Sequence, residues 1–499
     1  MQRPAARRKP LTRRVLLGAA VVALGCVLPV SALGDDGVWT SGAVTGEYLY
    51  DTGAEASTFD ARLEMDAGYG PLTVGAVYRA YQLSSPLYNP ADIDVPGAEV
   101  KHRYAALDRE NLHLRAGHFL ATFGRGLALR SFEDVDLEHD TVLDGLIGEY
   151  SFSGADITAL AGTVDEPLTQ TRYRRHNVRA LRASRSLASW LTLAGSVVER
   201  ASSKEDADPL VTGSLGRSED MLLGGEMDAW LGPVSLAVEY VGRHADDGEL
   251  EIEDIEGHAT YAAATVELPW ATLFGEYKDF ERFTHFLVNP PTCVREHLWT
   301  LMNRATYEPK LEDERGFLFE ATVPLGDAVT VLGGASEARN HDADLLHWEM
   351  FGQADAWIGD TSLSAGAARS REYELGSFIE HTTGGAEVVV PLPSGQPLEL
   401  QVQAGETIDI TETSSIDYLV SMTCYTASGI TFASVVEGTD DESEDRSVWA
   451  MFEVKSLLAD DLELGVSVGS ERGGLKCSGG VCRVEPEFVG GRVRLTTYF

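Results

Sequence analysis

Charged side chains of both signs crowd one stretch of this chain. Between Asn111 and Ile147, NLHLRAGHFLATFGRGLALRSFEDVDLEHDTVLDGLI, the bases Arg115, Arg125 and Arg130 precede the acids Glu133, Asp134, Asp136, Glu138 and Asp140. Guanidinium and carboxylate groups set against each other across a narrow opening create a transverse field, which orients and sorts small polar solutes. The stretch begins as a strand, with Leu112, Leu114 and Ala116 alternating against His113 and Arg115, and re-enters one at Leu143 to Leu146. The part between is too long for a turn and is broken by Gly117, Gly124 and Gly126. It reads as a loop, 118–143, folded into the mouth of a membrane β-barrel. Arg115, Arg125, Arg130, Glu133, Asp134, Asp136 and Asp140 are the candidates for lining the constriction.

A second polar group follows the Pro290-Pro291 break, which cannot continue a strand ladder. Arg295, Glu296 and His297, followed by Trp299 and Asn303-Arg304, form either a cluster inside the mouth or an ordered, solvated outer loop. The arginines 172, 174, 175, 179, 182 and 185 fill one hairpin. They either oppose the acids at 133–144 or serve as ordinary neutralising partners. The acidic run Asp440 to Asp445 reads as a solvated loop, with divalent cations bridging lipopolysaccharide as the sharper option. His341 to His347 reads as a hydrated loop rather than a metal site.

Cys477 and Cys482 frame Ser-Gly-Gly-Val in the last long loop, and two glycines let so short a ring close. They are expected to form a disulfide. Cys293 and Cys424 either pair across the barrel rim, or Cys424 is a small lipid-facing residue. Catalytic signatures are absent: there is no G-x-S-x-G, no Walker loop, no H-E-x-x-H and no paired C-x-x-C. The reading is therefore of a non-enzyme with no cofactor and no resident metal.

Which elements would hold these groups? Period-2 alternation runs through the chain, as in Phe59 to Ala67, where apolar odd positions alternate with charged even ones until Asp66. Gly70-Pro71 turns the chain and Leu72 to Tyr81 returns it, a pattern repeated at Gly232-Pro233, Pro269, Pro324 to Asp327 and Gly359-Asp360. Short breaks fall near 70, 109, 154, 188, 232, 269, 325, 359, 393, 428 and 459. Longer ones occupy the alternate slots, among them 83–97, 118–143, 165–175, 201–218, 244–254, 282–314, 337–344, 437–446 and 471–487. Loop length sorted by end belongs to outer-membrane barrels, with tight periplasmic turns and long outer loops. The count is about 24 strands, within a range of roughly 22–26, in one large transmembrane antiparallel β-barrel.

The chain has 499 residues and a formal net charge of −38. That acidity excludes nucleic acid as a partner and suits solvated loops. Arg7, Arg8, Lys9, Arg13 and Arg14, the apolar run Val15 to Val30 and the small residues Val30-Ser31-Ala32 read as a signal peptide, residues 1–34. Thr12-Arg13-Arg14 hints at the twin-arginine route and Cys26 at a lipoprotein, both weaker readings. Past residue 34 no segment is long and apolar enough for a spanning helix. The last residues, FVGGRVRLTTYF, alternate and stop at Phe499, which resembles the terminal strand that barrel-assembly machinery recognises. The usual aromatic two places before the end is replaced by Thr497.

Three blocks, LRAGHFLATFGRGLALRSFED with DTVLDGL, NPPTCVREHLWTLMNR and ERGGLKCSGGVCRVEPEF, resemble a bacterial family of unknown function described as outer-membrane-barrel-like. The block from Gly117 to Arg130 is also loosely similar to the constriction region of porins. The resemblance implies the fold and brings no activity, ligand or site residues. The expected function is a porin-like outer-membrane channel passing small hydrophilic solutes, with a cation preference. Its partners would be outer-membrane lipid and lipopolysaccharide, the barrel-assembly machinery and small polar solutes. The alternative is a non-conducting structural or assembly barrel plugged by its own loops. A barrel hydrolase lacks any supporting spacing.

Overall fold

A computed structural model describes residues 37–83, 97–135, 137–169, 172–202, 219–246, 255–305, 307–374, 376–478 and 481–499. The expected signal peptide, residues 1–34, and the candidate Asp136 lie outside the described residues. The chain divides into two compact units. Of the described residues, one holds those up to Ala106 with Glu453–Gly469 and Val489–Phe499, and the other those within Leu107–Phe452 and Ser470–Phe488.

Among the described residues twenty-four strands form one antiparallel sheet. The first, Val38–Asp51, pairs with the last, Phe488–Tyr498, from Ala43 opposite Tyr498 to Asp51 opposite Gly490. The sheet therefore has no free edge: it is a 24-stranded antiparallel β-barrel. Phe499 extends this closing seam, since its carbonyl accepts from the Gly42 amide at 2.9 Å and its amide donates back to the Gly42 carbonyl at 3.1 Å.

Within the first unit, Val38–Asp51, Ala56–Tyr69 and Leu72–Leu83 pair in sequence order. Asp60, Arg62, Glu64 and Asp66 fall on one face because a strand turns its side chains alternately. Arg79 is directed onto Asp60 at 2.6 Å, Tyr104 donates to Asp66 at 2.7 Å, and Arg494 meets Glu47 at 2.7 Å.

In the second unit the two faces of the sheet differ sharply. One face is bare and apolar: Leu223 is 54% exposed, Phe319 49% and Val402 52%, beside Tyr240, Tyr277, Met350 and Val420. The other is covered by the segments 120–142 and 282–312, which seal Leu222, Val241, Ala259 and Phe280 completely. The core is thus built between the sheet and its own connections rather than between two sheets. Leu222, Val241 and Phe280 each contribute about 1.5–3 kcal/mol relative to exposure.

One connection departs from expectation. A long loop over 165–175 is replaced by continued ladder, Ala155–Thr169 pairing with Arg172–Ala188 out to Thr169 opposite Arg172. Charge complementarity explains the extension. Arg175 grips Asp165 with two hydrogen bonds of 2.8 and 2.9 Å, and His176 meets Glu166 at 2.7 Å.

Candidate functional site

Segment 120–142 leaves Leu112–Phe119 and returns at Leu143–Phe152, two strands paired directly with one another. Two miniature ladders shape it, Thr122 opposite Arg130 with Phe123 opposite Leu129, and Glu133 opposite Asp140 with Asp134 opposite His139. Ser131 closes one, its amide donating to the Ala121 carbonyl at 2.9 Å while its Oγ accepts the Ala121 amide at 2.8 Å. The tip needs glycine twice. Gly124 and Gly126 have φ of 59° and 92°, and a Cβ on them would lie 2.5 Å from the Glu239 carboxylate and 2.7 Å from the Asn289 carbonyl. With the backbone so close, the Arg125 amide donates to Glu239 Oε2 at 2.6 Å and its guanidinium to Asp228 at 3.0 Å. Leu127, Ala128 and Leu129, all fully buried, hold the tip in the core.

Segment 282–312 acts as a strap laid across the strands. Thr292 offers its carbonyl to Lys278, on Ala271–Glu281. Arg295 pairs with Glu320 at 2.7 Å, on Asp313–Pro324, and Val294 packs on the cluster of Ala338 and Leu346. His297 meets Glu349 at 2.8 Å, on Leu345–Ile358. Trp299 lies over Gly366 and Gly385, on Thr361–Glu374 and Ser377–Pro391. The Leu301 amide donates to Gln403 at 2.8 Å, on Pro397–Ile408, and Arg304 reaches Glu437 at 2.5 Å, on Ile430–Thr439. The strap ends this crossing in a short 3-10 turn, Met302–Ala305, in which the Met302 and Asn303 amides donate to the Trp299 carbonyl at 3.1 and 3.3 Å. Asn303 locks the path, accepting the His297 amide at 2.7 Å and donating to the His297 carbonyl at 2.5 Å.

Behind the strap lies a buried ionic knot. Lys278 pairs with Glu314, Tyr307 donates to Glu314 at 2.6 Å and stacks on His347 at 4.8 Å, and all four are at most 1% exposed. Removing one partner of such a pair leaves an uncompensated charge, a loss of about 3–5 kcal/mol.

Arg125, Arg130, Glu133, Asp134 and Asp140 lie on segment 120–142 but serve different ends, whereas Arg115 precedes it. Arg115 sits in the strand Leu112–Phe119, its Nε donating to the His118 carbonyl at 2.8 Å. Arg125 is drawn to the wall acids, whereas Arg130 lies beside Phe132, its guanidinium 5.1 Å from the ring centre. Asp134 accepts the Leu137 amide at 2.9 Å and Asp140 the Val142 amide at 3.0 Å, so both shape the backbone. Glu133 pairs opposite Asp140 in the miniature ladder. Arg295 and His297 face the wall together, whereas Glu296 between them is exposed.

The hairpin arginines find strand partners: Arg182 grips Glu226 at 2.6 and 2.9 Å, and Arg179 lies 3.7 Å from Glu199. Cys293 and Cys424 are both free, which overturns a pairing across the rim. Cys293 is buried in the strap, and burial pushes its thiol up to about 12. Cys477 stands directly opposite Cys482 in the small ladder Gly474–Ser478 with Val481–Glu485, while their side chains lie outside the described residues. The wall partners Lys278, Glu314, Glu320, Glu349, Gln403 and Glu437 were not read as site residues. Their common signal is a polar group at alternate strand positions, shared with many other positions in the chain.

The fold and site define a class: closed antiparallel barrels whose own connections are folded against one face of the sheet. Within that class, the chain belongs to the family of unknown function DUF6029, which matches residues 51–339. No curated protein matches the sequence. Among solved structures, it is similar to a chain of the E. coli P pilus tip assembly intermediate PapC-PapD-PapK-PapG. Identity there is 10% over 94% of this chain and 62% of that one, with a TM-score of 0.55. The siderophore receptor PirA from Pseudomonas aeruginosa has 11% identity over 92% of this chain and 80% of its own, with a TM-score of 0.48. For OccK5 (OpdH) from Pseudomonas aeruginosa the values are 11%, 81% and 97%, with a TM-score of 0.36. The likeness to the pilus assembly chain is one of fold alone.

Proposed function

We propose that the protein is an outer-membrane channel for small hydrophilic solutes, narrowed from within by segments 120–142 and 282–312. One observation carries the reading: a sheet without an edge turns a bare apolar face one way and a charged, loop-covered face the other. Hydrocarbon tolerates only backbone whose donors and acceptors are all paired, and a closed sheet meets that condition. Lipid and lipopolysaccharide are then the surroundings, and the Phe499 end is the part offered to assembly machinery. The oxidising exterior favours a Cys477–Cys482 disulfide.

The acids Asp228, Glu239, Glu320, Glu349 and Glu437 on the covered face support a cation preference, moderated by Arg125, Arg295 and Arg304 lying against them. Purified protein in planar bilayers is expected to give discrete current steps and a cation-directed reversal potential in a salt gradient. Absence of current from folded protein rejects the channel.

The density of the strap's anchors favours a second reading, a barrel closed at rest. Under it, wild-type protein is silent and a variant lacking 292–304 conducts. Conduction by wild type rejects this second reading.

A further inference from the structure

Where the two covering segments meet they leave a cleft of ≈ 180 Å³. Arg130, Phe132 and His139 enter it from the first segment, and Phe286, Asn289 and Glu308 from the second. Its floor is stitched by backbone. The Arg130 amide donates to the Leu287 carbonyl at 2.7 Å, and the Asn289 amide to the Gly126 carbonyl at 3.2 Å. The Arg130 guanidinium is steered by the Asn289 carbonyl at 3.3 Å and the Phe132 ring. A guanidinium has five N–H donors, and that one bond engages a single group. Phe132 stacks on His139 at 4.4 Å, making a flat wall. Burial lowers the His139 pKa against the pull of Asp140 and Asp134, so at neutral pH the imidazole is uncharged. Of the lining side chains, Arg130 and Glu308 carry the fixed charges, with the carboxylates of Asp134 and Asp140 close behind the His139 wall.

That balance selects a ligand. A simple anion meets Arg130 but also the like charge of Glu308, and a simple cation meets the reverse. An uncharged polar solute can hydrogen-bond to both ionic groups but brings no opposite charge to either, so its contacts are weaker than two charge-assisted ones. A molecule with a carboxylate at one end and an ammonium at the other satisfies both. Water's share of liquid volume is about 30 Å³, so the cleft holds the equivalent of about six waters, the bulk of a small amino acid. We propose that this cleft binds a small zwitterion of amino-acid size, its carboxylate on Arg130 and its ammonium on Glu308. This rests on the reading of the barrel as a solute channel and names the solute class that pauses at its narrowing.

The test is calorimetric titration of the detergent-folded full chain with alanine, propionate and ethylammonium. Alanine is expected to bind roughly tenfold tighter than either singly charged probe, the usual strength of a charge-assisted hydrogen bond. Arg130→Gln should remove about tenfold of the alanine affinity, and Arg130→Lys should restore part of it. Glu308→Gln should make alanine and propionate bind alike. Equal affinity for all three probes, or alanine binding unmoved in both glutamine variants, overturns the site. Bilayer current on the same preparation separates the two readings. Current without alanine preference removes the site and leaves the channel, while alanine binding without current does the opposite. Circular dichroism and the heat-modifiable gel shift confirm that each variant is folded.

Discussion

Trp299 owes its seat to side chains that are missing beneath it. Gly366 and Gly385 leave a hollow on the covered face, and a Cβ at Gly366 would strike the indole ring directly. Gly366→Ala is therefore expected to lift the strap at this point, at a cost of about 1–3 kcal/mol from overpacking. The measurement is tryptophan emission, which shifts to the red as the indole meets water; unchanged emission and stability count against the fit. Trp299→Ala fails in the other direction, leaving a void worth about 3–5 kcal/mol.

A second residue, His341, lies between Asp313 and Asp279, the latter at 3.0 Å. The Asp313 hydrogen bond raises its pKa, with Asp279 adding to it against a smaller desolvation. A raised folded value means the contact stabilises fully below the unfolded pKa, about 6.5. The contribution is then lost as pH rises through the folded value. Amide exchange in the turn 340–344, corrected for intrinsic rate, should quicken as pH rises from about 6 to 8, and His341→Gln should flatten that dependence. The sequence alone shows a histidine among aspartates, which reads as a hydrated loop. The partners that change this reading come from strand ends 28 and 62 residues away.

The connections, not the strands, carry the element-level surprises. Hairpins were legible because alternation and turn chemistry are local: Gly70, Gly154, Gly232, Gly326, Gly359 and Gly429 all take positive φ at turns that the spacing placed. The strap was legible only as a break at Pro290-Pro291 with charges after it, since Glu320, Glu349, Gln403 and Glu437 are distant in sequence and each is an ordinary wall residue on its own strand. The overlong 165–175 loop failed for a related reason, because no rule about loop length sees Arg175 facing Asp165 across the ladder. The geometry makes a sharp demand on the strap. Arg295→Gln with His297→Gln removes its two central wall contacts and is expected to expose 292–304 to limited proteolysis and to increase bilayer conductance. A strap equally protected in that double variant would show that the aromatic and backbone anchors suffice.

On the scale of the molecule, the strand count and the closure followed from a physical necessity that the pattern could express. An even set of antiparallel strands can pair its last with its first, a sheet in hydrocarbon needs that closure, and Phe499 makes it at Gly42. Removing 488–499 leaves the Val38–Asp51 strand without one of its partners. Such a truncated chain is expected to aggregate instead of giving a heat-modifiable band, because an unpaired apolar strand edge templates association. The direction of ion preference was less legible. It depends on which acids remain unmatched after Arg125, Arg295 and Arg304 have found theirs, a question of proximity.

The strap has a further consequence, because it departs from the strand ending at Glu281 and rejoins the one beginning at Asp313, which are immediate neighbours in the sheet. Both roots are thus planted side by side, and a detached strap remains a leash whose free middle never diffuses away. Recapture is intramolecular, at an effective concentration in the millimolar range typical of short tethers. Dilution of the protein cannot slow it, and no soluble blocker has to be supplied from outside.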